Sequence, residues 1–175
     1  IIKKNTMKRK ILKSEKFPIY RYTTIISGAK ISRDIVHRPD IAAILAYKDG
    51  HILVVSHNRF PNQTDIEIPS GNMEKNEKPI ACAFREFEEE TGYQSKKMIP
   101  FFSFYTSIGY STQRVHCFIA KDFEKNGKQN LDDDEMLQVK KIQFKKLLKM
   151  ALNGKIIDSI TLSSVLLFAI KKKLI

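Results

Sequence analysis

Apolar residues along this chain come in short, bounded runs, and their spacing changes character partway. The β-branched segments 20–28 (YRYTTIISG) and 31–36 predict short strands, and IAAILAYK at 41–48 faces HILVVSH at 51–57 across Asp49-Gly50, a dipeptide suited to a two-residue hairpin turn. The front half is therefore expected to be mainly antiparallel strand. Pro61 to Thr64 reads as a loop, Ile66 to Ile68 as a short strand, and Pro69-Ser70-Gly71 as a tight turn. The period then lengthens. Pro79 suits a first helical turn, Ile80 to Thr91 is expected to be helical with Ile80, Phe84 and Phe87 as its apolar face, and Gly92 stands where a left-handed stop is wanted. Strands return near 101–105, 114–120 and 139–144, around a polar, acidic loop at 132–135. Helices at 145–152 and 160–172 are expected to finish the chain. Strands flanking a central helix, then more strands and terminal helices, predict an α+β layered fold. One domain over 17–175 is expected, preceded by a basic extension, 1–16, expected to be disordered. The chain begins IIKKNT, and Met7 is expected to be the natural start.

Composition narrows the picture modestly. At 175 residues one domain can bury about two thirds of its unfolded surface without staples. Cys82 and Cys117 belong to no C-x-x-C pair, so neither a disulfide framework nor a zinc site is suggested, and a reducing cytoplasm is the expected setting. No run approaches the apolar length of a membrane span, and the basic N-terminus is followed by no signal-peptide core, so a membrane role is not expected. The net charge of +12 is compatible with nucleic acid, an acidic surface or a phosphorylated small molecule and does not choose among them. Much of it comes from lysines near the two ends, and no interleaved arginine and aromatic pattern favours RNA. His37, His51, His57 and His116 have no ligand spacing.

The chemically informative segment is GNMEKNEKPIACAFREFEEETGY, residues 71–93. On a helix Glu86 and Glu90 share a face, with Glu89 beside them, so three carboxylates are forced close. Like charges at that spacing destabilise a helix unless a cation compensates, and hard oxygen ligands are what Mg²⁺ or Mn²⁺ prefers. An acidic run alone usually marks a wet helix face. The register around this one decides otherwise. The segment fits G-x5-E-x7-R-E-U-x-E-E-x-G-U, with U bulky and apolar, at Gly71, Glu77, Arg85, Glu86, Phe87, Glu89, Glu90, Gly92 and Tyr93. With seven positions fixed in type, a chance match is on the order of one in 10⁸, so coincidence is not a competitor. This resembles the Nudix box, with aromatic Phe87 and Tyr93 where that family usually carries aliphatic residues.

The resemblance implies a Nudix fold, mixed and antiparallel sheets sandwiched by helices, and a metal-dependent hydrolase that cuts a diphosphate linkage. By the same resemblance Glu86, Glu89 and Glu90 bind metal, with the Ser70 carbonyl as a further ligand, and Gly71 lets the backbone turn and approach it. Glu89 also takes a catalytic role. Arg85, which falls off the line of Glu86 and Glu90 on the helix, orients the glutamates, and Glu77 pairs in the loop. Beyond the box the chain is similar to the ADP-ribose pyrophosphatase branch. EIPSG (67–71), Asn58-Arg59-Phe60 and SIGYS (107–111) match its segments, implying substrate contacts at Arg59, Glu67, Gly71, Gly109 and Tyr110. Arg33 and Arg38 are vaguer candidates. The loop LDDDEMLQV (131–139) resembles the one that supplies the general base, here Asp133 or Glu135, with Glu135 also on metal.

Ile108 and Gln113 depart from the branch pattern, which leaves the substrate open. ADP-ribose, converted to AMP and ribose 5-phosphate with Mg²⁺, is the leading expectation. Another nucleoside diphosphate sugar or dinucleotide, an RNA end, or a nucleotide-sensing module without turnover are the alternatives. A homodimer, with N-terminal strands completing the partner's site, is implied by the resemblance alone.

Overall fold

A computed structural model describes residues 7–13, 17–58, 64–131 and 137–175. Its centre is β4 (Ile41–Lys48), whose core residues Ala42 to Ala46 are completely buried. A strand this uniformly apolar must be covered on both faces, and it is. On one side it pairs antiparallel with β5 (His51–Asn58) at its end and with β7 (Ser70–Asn72) at its start; on the other it runs parallel to β9 (Arg114–Lys125). The sheet order is β10-β5-β4-β9-β8, with β10 (Leu137–Gln143) and β8 (Tyr93–Tyr105) at the edges and β6 (Thr64–Glu67) pairing β5.

The two faces of β4 belong to two cores. Leu45 packs with Ile52, Val54 and Ile119 against α2 (Phe144–Leu152) and α3 (Ser159–Lys171). Ala42, Ile44 and Ala46 pack with Leu53 and Phe118 against α1 (Pro79–Thr91) through Cys82, Ala83 and Phe87. This is an α/sheet/α sandwich, the fold class expected. The hairpin turns follow the chemistry read from the sequence: Asp49 and Gly50 adopt φ of 50° and 75°, as a type I′ turn requires. The Asp158 side chain caps α3, accepting from the Thr161 amide at 2.7 Å.

Four expectations are corrected. Pro69-Ser70-Gly71 is not a tight turn, because Ser70 and Gly71 are drawn into β7 by pairing with Ala43 and Ala42. The apolar face of α1 is not Ile80, Phe84 and Phe87. Ile80 and Phe84 are 40% and 37% exposed, while Cys82 and Ala83 join Phe87 in the core, since small side chains let the helix sit close to the alanines of β4. Strands β8 and β9 extend well beyond the apolar stretches that announced them. Finally, 7–13 is not disordered: it forms β1 (Met7–Lys13), paired antiparallel with β2 (Pro18–Ile26), which pairs with β3 (Ala29–Val36) in a separate 3-stranded sheet. That sheet is joined to the main body at its foot, where the Val36 amide donates to the Tyr110 carbonyl at 2.8 Å and the Thr112 amide to the Val36 carbonyl at 3.1 Å.

Candidate active site

Helix α1 is framed as its sequence demands, with Pro in the first turn and Gly92 at φ 70° closing the end through a 2.7 Å bond from its amide to the Glu88 carbonyl. The helix lies across β7, and the contact is a carboxylate against a glycine. A Cβ on Gly71 would fall 1.9 Å from the Glu86 Cδ and 2.0 and 2.2 Å from its oxygens. Any side chain there would expel Glu86. Gly71 has no positive φ, so its value lies in the missing Cβ rather than in turning the chain. One residue earlier, the Ser70 amide donates to Glu90 Oε2 at 2.9 Å. Glu90 is only 4% exposed, and a hydrogen bond to a buried carboxylate is what makes such burial affordable.

Arg85 organises the rest. Its Nε donates to Glu77 Oε1 at 3.0 Å and its Nη2 to Glu77 Oε2 at 3.0 Å, while Nη1 reaches Glu86 Oε1 at 2.7 Å and Glu89 Oε2 at 2.8 Å. Nη2 also donates to the Asn72 carbonyl at 3.1 Å. The helical-wheel expectation that Arg85 stands apart from Glu86 is therefore corrected: the long side chain curls back, and its guanidinium fork serves three carboxylates together. Glu77, paired with Arg85 first of all, has its pKa lowered to about 2, whereas the Arg85 pKa is raised, chiefly by Glu77 and then by Glu86. The Glu77 carboxylate also accepts from the Glu74 amide at 2.9 Å, fastening the loop before the helix. Cys82, beneath these groups, is pushed up to about 12 by burial and by the neighbouring Glu86 and Glu77, so it is no nucleophile.

Other candidates come from other elements. Glu67 is 5% exposed, in β6 beside β5. Gly109 and Tyr110 lie in the exposed turn after β8, where the Tyr110 and Ser111 amides donate to the Ser107 carbonyl and the Ser107 hydroxyl donates to the Tyr110 hydroxyl at 2.9 Å. Arg38 sits 4.6 Å over the Phe17 ring. Arg33 is exposed on β3 and donates to the Ser32 carbonyl. Arg59, Asp133 and Glu135 lie outside the described residues. Among the described residues no three His, Cys, Asp or Glu side chains are grouped to hold a metal in this arrangement, in which Glu86 and Glu89 are engaged by Arg85 and Glu90 by Ser70. The donor set itself fits a hard divalent cation: every candidate atom is an oxygen, Glu89 is a third exposed at 34%, and Gly71 leaves the Glu86 carboxylate room against the backbone.

Sequence reasoning missed Asp40. Its Oδ1 accepts from the Arg114 amide at 3.1 Å, its Oδ2 lies 3.0 Å from His116 Nε2, and its carbonyl accepts from the Met73 amide at 2.8 Å. It thereby ties the start of β4 to β9 and to the loop after Gly71. The Arg-Pro-Asp sequence before a strand was the available signal. Gln113, marked only as a departure, is buried and donates to the Pro39 carbonyl at 3.0 Å.

Comparisons with known proteins agree with this geometry. The NUDIX domain family matches residues 36–160, more than half of the chain. The ADP-ribose pyrophosphatase of Bacillus subtilis is 34% identical over 175 residues, covering 98% of this chain and 95% of that protein. A methanol dehydrogenase activator of Bacillus methanolicus is 34% identical over 142 residues, covering 79% and 77% of the two chains. A GDP-mannose pyrophosphatase of Yersinia enterocolitica is 27% identical over 178 residues, covering 92% of each. The crystal structure of an ADP compounds hydrolase superposes with a TM-score of 0.83 at 15% identity, covering 96% and 94% of the two chains. With a family match over residues that hold both the Arg85 clamp and the Gly71 contact, the chain belongs to the Nudix family.

Proposed function

We propose that this Nudix hydrolase cleaves the diphosphate linkage of ADP-ribose to AMP and ribose 5-phosphate, using Mg²⁺, with Mn²⁺ as a substitute. The observation that carries the reading is the clamp in which one guanidinium fixes Glu77, Glu86 and Glu89 beneath a glycine strand. The near full-length likeness to an ADP-ribose pyrophosphatase supports the choice of substrate.

Glu86, Glu89 and Glu90, with the Ser70 carbonyl, would hold the cation, which when bound neutralises diphosphate charge and lowers the pKa of attacking water. Arg85 positions two of those carboxylates and offsets their mutual repulsion. Asp133 or Glu135 removes the proton from the attacking water, and Arg59, Glu67, Gly109 and Tyr110 contact the substrate. The working form is a homodimer in the cytoplasm. The 3-stranded sheet leaves Met7, Leu12 and Ile25 at 67%, 52% and 66% exposure, apolar surface of the sort that a second subunit covers.

The test is product release from ADP-ribose, GDP-mannose, NADH, diadenosine polyphosphates and 5′-triphosphate RNA with either cation. Preference for ADP-ribose with AMP as product is expected. GDP-mannose, acted on by pyrophosphatases 27–28% identical to this chain, is the second reading, and its preferential cleavage would replace the first. Tight binding without turnover would make the protein a sensor.

A further inference from the structure

At the end of β4 away from Gly71 the sheet opens into a cleft of about 610 Å³, whose lining includes Lys48, Tyr93, Phe123, Glu124, Lys125 and Lys141. From Ala42, which pairs with Gly71, to Lys48 is six residues of strand, or about 20 Å at the usual rise. The cleft therefore lies at the other end of the strand from Gly71, and none of the groups placed in the candidate active site lines it. Its volume is that of a small-molecule site.

Its chemistry is cationic and aromatic. Two of its lysines lie over aromatic faces instead of beside carboxylates: Lys48 Nζ is 5.8 Å from the Phe123 ring centroid and Lys141 Nζ 5.6 Å from that of Tyr93. Lys48 Nζ is further held by donating to the Phe123 carbonyl at 3.1 Å, which leaves it two donors. Among the described residues none of Lys48, Lys125 and Lys141 is in an ion pair. Lysines outnumber carboxylates in the lining three to two, and Glu124 is drawn to Lys96, outside the cleft, at 3.7 Å. Phe123 is 4% exposed and meets Tyr93 edge to face at 6.0 Å, so the two rings are fixed rather than mobile. Fixed rings beside uncommitted ammonium groups suit a ligand that has a planar, aromatic part and a compact anionic part.

We propose that this cleft is a second, non-catalytic binding site for a nucleoside monophosphate, the phosphate held by Lys48, Lys125 and Lys141 and the base against the half-buried Tyr93, which Phe123 backs from within the core. The site also has a route to the catalytic helix. Phe123 packs edge to face on Phe87 at 5.6 Å, and the turn that follows β9 returns to the end of α1, with the Asn126 and Gly127 amides donating to the Gly92 carbonyl and the Gln129 side chain to the Glu90 carbonyl at 2.7 Å. An occupant against Tyr93, which Phe123 braces, therefore bears on the end of the helix that carries Glu90.

Calorimetric titration of the full chain with AMP, in chelator and at low salt, tests the assignment. Two sites per chain are expected, one of which is lost in the K48A/K141A variant while Tm and the hydrolysis rate without AMP are unchanged. Inorganic phosphate alone and adenosine alone should each bind the cleft at least tenfold more weakly than AMP. An unaltered titration of a folded K48A/K141A protein overturns the site, and phosphate binding as well as AMP overturns the role of the rings. A milder K48Q/K141Q pair, expected to lose the same site, guards against misfolding. Because binding is read directly, failure of the ADP-ribose reading would leave this outcome measurable.

Discussion

The two sheets of this molecule solve the problem of edge and face differently. In the main sheet β4 is buried on both sides, and polar groups enter only where something answers them: Ser70 answers Glu90, Arg85 answers Glu77, Glu86 and Glu89, and Thr161 Oγ1 accepts from the Ile68 amide at 2.9 Å. The 3-stranded sheet has no such enclosure. Among its described residues the ion pair from Arg21 to Asp34 at 2.7 Å is exposed, Lys8 Nζ lies 4.0 Å over the Tyr20 ring, and Met7, Ile11, Leu12, Ile25 and Ile26 are exposed. Exposed ion pairs contribute little. The first region is enclosed on both faces, whereas the second is held by backbone pairing and by its foot at Val36, and it is the region on which the proposed dimer depends.

That contrast can be broken at its strong side first. Glu86→Gln keeps the shape and removes a charge, so hydrolysis should fall about 10³-fold, the equivalent of several kcal/mol of lost charge stabilisation. Steady-state kinetics beside a thermal melt would check it, and near-normal turnover would sink the assignment of Glu86. Next comes Gly71→Ala. The added methyl meets the Glu86 carboxylate at 1.9 Å, and a loss of about 10²-fold in kcat is expected, since displaced catalytic geometry of about 1 Å costs that much. The measurement is kcat against KM, with wild-type-like kcat refuting the contact.

Removal of residues 1–13 probes the other region. It should leave the main sheet folded and convert the dimer to a monomer by sedimentation, with about a tenfold drop in ADP-ribose turnover, since an obligate interface contributes through mass action and shared contacts. A monomeric wild-type protein would dispose of the idea at once. The smallest effect is electrostatic. Glu77 has a folded pKa of about 2 against an ordinary 4.5, so the stability it lends is full above the ordinary value and is lost as pH falls from about 5 towards 2. Glu77→Gln should flatten that part of the acid limb in chemical denaturation curves, and an unchanged acid limb would contradict the pairing.

What the sequence made legible follows from how local each signal was. Helix α1 could be bounded to the residue because Pro79 and Gly92 act on the backbone within one turn. Its buried face could not, because Cys82 and Ala83 look unremarkable beside Ile80 and Phe84 until the alanines of β4 are placed opposite them. The carboxylates were legible through their fixed spacing. The helical wheel alone set Arg85 off the line of Glu86 and Glu90, whereas the resemblance had it orienting the glutamates, and Glu89 four residues on is at the spacing where such pairs meet. Strand β1 was hidden by its lysines and arginine, and only pairing with β2 makes MKRKILK a strand. Asp40 was marked only by the Arg-Pro-Asp sequence before a strand, because its three partners come from distant parts of the chain. The lysine cleft was hidden for the same reason, since its lining is drawn from five strands and turns.

The close seat of α1 on the sheet has a consequence for anyone altering this protein. Cys82 and Ala83 are completely buried in one cluster with Ala42 and Ala46, so the depth of the carboxylates is set from behind, by four small side chains of the core. Enlarging any one of them lifts the helix as a rigid rod and carries Glu86, Glu89 and Glu90 with it. Libraries aimed at new substrates should hold those four positions constant and vary the turn at 107–111. A loss of activity traced to Ala46 would then be a fault of the helix seat rather than of recognition.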